Sequence, residues 1–256
     1  MDFGLKGKRA LVLGASRGLG AASAILLAEE GADVIAASRS GALPVGLPES
    51  LKDKVSTIKL DLADAGSVSD VIAFLGETPV DILVNNCGGP AAGPAKGQSV
   101  EAWVAAFNAM ATPIFAITDK AVEAMADKGW GRVVTIGSSG IVSPIPNLAL
   151  SNGVRGAIAG WSKTLASEVA ASGITVNMVL PGRIATDRLA ELDAGKAKKS
   201  GQSVDEVKAA SRATIPAARY GKPEEFGAVV TFLCSEQASF VTGSMIRVDG
   251  GMIKGM

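Results

Sequence analysis

Histidine is absent from the 256 residues. That removes the commonest metal ligand and the usual acid–base side chain at neutral pH, and no metal site is expected. Two cysteines, Cys87 and Cys234, form no Cys-x-x-Cys and no zinc-type spacing, so reduced thiols are expected rather than a disulfide framework. Aromatics are scarce, at 4%, with Tyr220 the only tyrosine. Neither sign of charge dominates: 25 Lys+Arg balance 25 Asp+Glu, which leaves no net field to draw nucleic acid or an anionic membrane. No apolar run is read as long enough to cross a bilayer, and residues 1–9 lack the apolar stretch of a secretory signal. A cytoplasmic location follows as the expectation.

What is present is alternation. Short apolar runs at 10–13, 33–38, 55–60, 81–85, 132–137, 175–180 and 244–248 alternate with helical patterns at 20–30, 67–76, 100–127, 153–171 and 223–235. Near-continuous apolar strands belong to a parallel sheet covered on both faces. The pattern predicts one α/β domain over 1–256, a Rossmann-like doubly wound parallel sheet of about seven strands with helices on both faces. Pro113 is expected to kink the long helix at 100–127. The charged stretch at 183–216 has no strand partner and follows the sixth strand, which places a substrate lid there. It carries Glu191, Asp193, Lys196, Lys198 and Lys199, and the lysines read as a solvated face.

Directly behind the first strand lies Gly14-Ala-Ser-Arg-Gly-Leu-Gly20. Gly14 permits a tight turn, and Gly18 and Gly20 let main-chain N–H groups approach a pyrophosphate at the positive end of a helix. Strand, glycine turn and helix in that order are the context a dinucleotide cradle requires. The second strand ends at Ser38-Arg39 without the carboxylate that would anchor an NAD ribose. Arg39 there, with Arg17 inside the turn, suits a 2′-phosphate, because a guanidinium matches phosphate in a bidentate manner. NADP(H) is therefore the expected cofactor.

Several further motifs stand in order along the chain: Leu60-Asp-Leu62, Asn85-Asn-Cys-Gly88, Thr135-Ile-Gly-Ser-Ser139, Pro181-Gly182 with Ile184 and Thr186, and Ile246-Arg-Val-Asp-Gly-Gly251. With the glycine turn they resemble the short-chain dehydrogenase/reductase family over nearly the whole chain, nearest in look to its 3-oxoacyl-acyl-carrier-protein reductases. The resemblance implies a cofactor set of Gly14, Ser16, Arg17, Gly18, Leu19, Gly20, Ser38, Arg39, Asp61, Leu62, Asn86, Gly88, Arg155, Pro181, Gly182, Ile184 and Thr186. It also implies a homotetramer and a small-molecule carbonyl or alcohol substrate.

The family's chemistry rests on an Asn, a Ser, a Tyr and a Lys. Here the serine falls on Ser138, but the Tyr-x-x-x-Lys pair becomes Ser151 and Arg155, and the asparagine position falls on Met110. Asn108 is near in sequence, but two residues round a helix it faces elsewhere. A serine hydroxyl is a poor proton source. An arginine keeps a fixed charge able to hold a ribose or favour a developing alkoxide, yet it cannot relay protons. Ser138, Ser151 and Arg155 are the candidate catalytic residues, with an ordered water carrying the proton. Tyr220 is expected to be a half-buried packing residue. Residues 141–146 with Met110, Leu148 and Leu150 would line an apolar substrate pocket.

Two readings follow. One is an NADP(H)-dependent oxidoreductase with atypical acid–base residues. The other is a non-catalytic NADP(H)-binding sensor or partner subunit. A third, resemblance to the halohydrin dehalogenases, draws on Arg155 in the lysine place. It is opposed by the intact glycine turn and the missing tyrosine.

Overall fold

The computed structural model describes residues 2–255. Seven strands form one sheet: β1 (Arg9–Leu13), β2 (Asp33–Ser38), β3 (Val55–Lys59), β4 (Ile82–Asn85), β5 (Gly131–Ile136), β6 (Ile174–Pro181) and β7 (Met245–Val248). Their spatial order is β3-β2-β1-β4-β5-β6-β7, and every described pairing is parallel. The order reverses between β1 and β4. At such a switch point the loops leaving the two strands diverge and open a crevice at the carboxyl ends.

Each face of the sheet is closed by helices. On one side α1 (Gly18–Glu29) packs on α8 (Pro223–Leu233) over Val12, Val34, Ile82, Val134 and Val179. The contact is close at Gly227, where a Cβ would stand 2.8 Å from the Leu26 side chain and 3.0 Å from the Ala22 carbonyl. On the other side α2 (Ala65–Glu77), α3 (Val100–Met110), α4 (Thr112–Lys128) and α5 (Ala149–Val169) cover Leu11, Leu13, Leu83, Val133 and Val176. Strand interiors buried on both faces are why these segments read as unbroken apolar runs.

The structure departs from the sequence reading in three places. The stretch expected as one kinked helix is two, broken at Ala111; Pro113 sits in the first turn of α4, where its missing N–H costs no helical bond. Taken together, Val100–Lys128 is long and apolar enough by length and composition to cross a membrane, contrary to expectation. In the fold its apolar side packs on the sheet and on α2 and α5. Helix α5 begins at Ala149 rather than 153, which puts Ser151 inside its first turn.

Residues 183–216 contain two helices, α6 (Asp187–Ser200) and α7 (Val204–Ala213). Thr186 caps α6, and Ser203 with Glu206 forms a reciprocal capping box on α7.

Candidate functional site

The site is built at the carboxyl ends of β1, β4, β5 and β6. Gly14 and Gly18 both have φ of +60°, a conformation that L side chains rarely adopt. At Gly20 a Cβ would collide with the Gly14 carbonyl and approach the Asn86 amide to 2.9 Å. Asn86 itself donates to the Gly14 carbonyl at 3.3 Å, tying the end of β4 to the glycine turn. The first turn of α1 has no side-chain cap and no acidic residue, so its N–H groups are open to an incoming anion. A pyrophosphate fits this cradle, since a Cβ at any of the three glycines would fill or strain the space it needs.

The remaining residues of the expected cofactor set lie around the same crevice. Ser38 ends β2 with its hydroxyl 3.3 Å from that of Ser40, and Arg39 is exposed beside it. Ser16 gives its carbonyl to Val45 N–H, so the segment after β2 folds over the glycine turn. Asp61 and Leu62 follow β3, and the Asp61 N–H is held by Ser67 Oγ at 3.0 Å. The Asp61 carboxylate accepts the Ala63 N–H at 3.1 Å.

From the far side, the loop after β6 reaches back to the turn. Gly182 donates to the Val248 carbonyl, and a Cβ there would lie 2.6 Å from the Asp249 Cα. Ile184 is buried, and Thr186 sits so that its methyl is 3.7 Å from the place a Gly18 Cβ would occupy. Arg17 meets Asp187, the first residue of α6, at 3.8 Å. Both side chains are largely exposed, so the pair contributes little to stability. Arg17 thus contacts the start of α6 as well as lying in the turn.

The chemical end is less ordinary. Ser138 follows β5, and its Oγ accepts the Gly140 N–H at 3.0 Å, which leaves the hydroxyl proton uncommitted. Ser151 is half-buried in α5, one turn before Arg155. Arg155 Nη1 donates to the Ile136 and Gly137 carbonyls at 3.2 and 3.3 Å, and Nη2 donates to the Cys87 carbonyl at 3.2 Å. The guanidinium therefore bridges the ends of β4 and β5. Around it Cys87, Thr135, Ile158 and Met178 close a space with no room for a water molecule.

Met110 is buried, packed with Cys87, Ile114, Leu150, Val154 and Met178. Met110, expected from the resemblance at the asparagine position, is hydrophobic core. Asn108 is exposed on the opposite side of α3. Leu150 is buried as well, so Met110 and Leu150 pack the interior instead of lining an open substrate pocket as the sequence suggested. Val142 in the loop after β5 is exposed.

Two groupings were not found from sequence. Asn152 holds the loop over Ser138: its Nδ2 donates to the Ile145 carbonyl at 2.9 Å, and its Oδ1 accepts the Ile145 N–H at 3.4 Å. Its signal was only an amide next to a catalytic position. The second grouping centres on Asp193, which is buried and accepts the Tyr220 hydroxyl at 2.8 Å. Arg183 stands 3.6 Å away as its charge partner. Tyr220 is half-buried as expected, but it also donates a hydrogen bond that fastens α6. Burial pushes its pKa up.

Comparisons with known proteins agree with this arrangement. The family model described as Enoyl-(Acyl carrier protein) reductase matches residues 14–253. A 3-oxoacyl-[acyl-carrier-protein] reductase of Vibrio harveyi is 34% identical over 252 residues, covering 97% of this chain and 98% of that protein. The crystal structure of L-sorbose reductase from Gluconobacter frateurii, complexed with NADPH and L-sorbose, superposes with a TM-score of 0.90 at 30% identity, covering all of both chains. That of YwfH, an NADPH dependent reductase involved in bacilysin biosynthesis, gives 0.89 at 27% identity over 98% of this chain and 100% of that one. With cradle, sheet order and near-complete coverage in agreement, this chain belongs to the short-chain dehydrogenase/reductase family.

Proposed function

We propose that the protein is an NADP(H)-dependent oxidoreductase acting on a carbonyl/alcohol pair with atypical acid–base residues. The observation that carries this reading is the approach of Thr186 to Gly18 across the crevice. A protein that only reads the adenosine end has no need for a loop at the nicotinamide end. The relatives that carry NADPH in their structures, together with exposed Arg39 and Arg17, support NADP(H) as the cofactor.

When bound, NADPH supplies the hydride, and the protein has to hold the acceptor and manage one proton. Ser138 donates a hydrogen bond to the carbonyl oxygen. Ser151 is a second hydroxyl on the neighbouring helix. Arg155 contributes a fixed positive charge at the ends of β4 and β5 that favours a developing alkoxide. It does not move a proton, because the guanidinium stays protonated. Proton delivery is therefore assigned to solvent on the Ser138 side of the acceptor. Loss of a positioned general acid slows such a step by about 10²–10⁴. Residues 183–216 act as the substrate lid. The exposed apolar residues Val100, Val104 and Phe107, close to Phe115 and Trp161, suit the packing of subunits into a homotetramer. The decisive measurement is single-turnover oxidation of bound NADPH by a panel of carbonyl compounds. Oxidation by at least one of them is expected; tight binding without oxidation by any would overturn the reading.

A second reading, a non-catalytic NADP(H)-binding sensor or partner subunit, is favoured by one observation: Met110, where the resemblance puts an asparagine, is buried in hydrophobic core. The combined change Met110→Asn, Ser151→Tyr and Arg155→Lys discriminates. Activity gained from an inactive parent supports the sensor, and a parent faster than the triple variant rules it out.

A further inference from the structure

Ser138 stands between two main-chain grips that come from one helix. Arg155 holds the chain just before it, donating to the Ile136 and Gly137 carbonyls at 3.2 and 3.3 Å. Asn152, about one turn earlier on α5, holds the chain after it. Its Nδ2 donates to the Ile145 carbonyl at 2.9 Å, and its Oδ1 accepts the Ile145 N–H at 3.4 Å. Residues three apart on a helix share a face, so α5 grasps both arms of the loop at once.

The loop between the grips is tightly wound. The Ser139 carbonyl accepts the Val142 and Ser143 N–H groups at 3.1 and 2.9 Å, and Ser138 Oγ accepts the Gly140 N–H at 3.0 Å. Gly140 is buried and pressed against the Asn152 amide. A Cβ there would collide with Asn152 Oδ1 and lie 3.2 Å from Ser138 Oγ. The backbone at Gly140 is not left-handed, so close approach alone calls for glycine. Asn152, Gly140 and Ser138 therefore stand in contact one behind the other. A hydroxyl oxygen that accepts one N–H keeps its own proton for another partner.

We propose that Asn152 is a positioning residue for Ser138. By pinning Ile145 and bearing on Gly140, it presents the Gly140 N–H to Ser138 Oγ and keeps the hydroxyl proton available for the substrate carbonyl. Its part in the reaction rests on the oxidoreductase reading above, whereas its hold on Gly140 does not. Asn152 acts through Ser138, so its removal costs nothing further once the Ser138 hydroxyl is gone.

The test uses the full chain with NADPH bound. In Asn152→Ala, residue-resolved hydrogen exchange should quicken at Gly140 by about tenfold, the scale of the hydrogen bonds lost, while the α1 amides and the circular dichroism stay as in the parent. Single-turnover oxidation of NADPH is followed with the fastest acceptor of a panel that includes ethyl acetoacetate, cyclohexanone and L-sorbose. Asn152→Ala should lower the rate at saturating acceptor about tenfold, with the half-saturating concentration and the NADPH affinity unchanged. In a Ser138→Ala background the same change should have no further effect. Gly140→Ala should lower the urea midpoint of the parent, and lower it less where Asn152→Ala has removed the oxygen it strikes. Unchanged exchange at Gly140, or an equal effect of Gly140→Ala in both chains, overturns the hold of Asn152 on Gly140. Rate losses that add to those of Ser138→Ala, or a loss confined to the half-saturating concentration, overturn the route through Ser138. A parent that oxidises NADPH with no acceptor, while Gly140 exchange quickens as expected, overturns the oxidoreductase reading and supports Asn152 as the residue that sets the Ser138 hydroxyl.

Discussion

The Arg155 side chain donates to the Cys87 main-chain oxygen at 3.2 Å, and through the Ile136 and Gly137 carbonyls it joins the ends of β4 and β5. In this role it is a tie within the sheet as much as a charge beside the crevice. Arg155→Met removes every one of these donors while keeping an apolar stem. It should lower unfolding free energy by about 1–3 kcal/mol, the cost of leaving half-buried carbonyls unpaired. Arg155→Lys should recover only part of this, because one ammonium cannot present the planar fork. Urea denaturation of the three proteins measures both effects, and a stable Arg155→Met variant contradicts the tie.

Ser138 keeps its hydroxyl proton free because its oxygen is the acceptor for the Gly140 N–H. Ser138→Ala should reduce the rate of NADPH oxidation by about 10²-fold, the scale of one oxyanion donor, and leave NADPH affinity unchanged. Affinity measured by quenching of nucleotide fluorescence separates the two. Equal loss of rate and affinity would assign Ser138 to cofactor binding instead.

The sheet and the cradle were legible because each has a local cause. Strands buried on both faces announce themselves as apolar runs, and the glycine turn needs φ values or close approaches that the sequence records as glycine. Helices α6 and α7 were not legible. Only Leu189, Asp193 and Ala197 of α6 are buried, and a carboxylate in that register breaks the apolar period that would have marked a packed face. Asp193 is satisfied by Tyr220 and Arg183, which lie 27 and 10 residues from it along the chain. The same limit applies to Met110: the sequence identified it as a substitution, but its burial among Ile114, Val154 and Met178 depends on how three elements meet. Hydrophobic periodicity reports which face of an element is covered, and it is silent about what covers it.

Arg39 is exposed at the end of β2, where no carboxylate stands to repel a 2′-phosphate. Arg39→Ala should weaken NADPH by about 10–100-fold, the range of a charged hydrogen-bond pair, and leave NADH affinity unaltered. Arg17→Ala has a smaller expected effect on NADPH, because Arg17 also meets Asp187. Equal affinity of the parent for NADPH and NADH would remove the basis for both expectations.

Tyr220 is the only tyrosine, so the tyrosinate absorbance of the protein reports this residue alone. Burial raises its pKa above the ordinary 10.0, and the Asp193 carboxylate that accepts its proton adds to the rise. A raised pKa means that the folded state favours the neutral phenol. Its contribution to holding α6 is therefore complete below pH 10.0 and is lost as pH climbs through the higher folded value. The tyrosinate signal should have its midpoint above that of a free tyrosine, with α6 hydrogen exchange, corrected for its intrinsic pH dependence, quickening over the same interval. Tyr220→Phe should abolish the signal and give the quicker exchange already at neutral pH, while circular dichroism shows the sheet intact. A midpoint at or below that of free tyrosine would mean that the hydroxyl does not fasten α6 through Asp193.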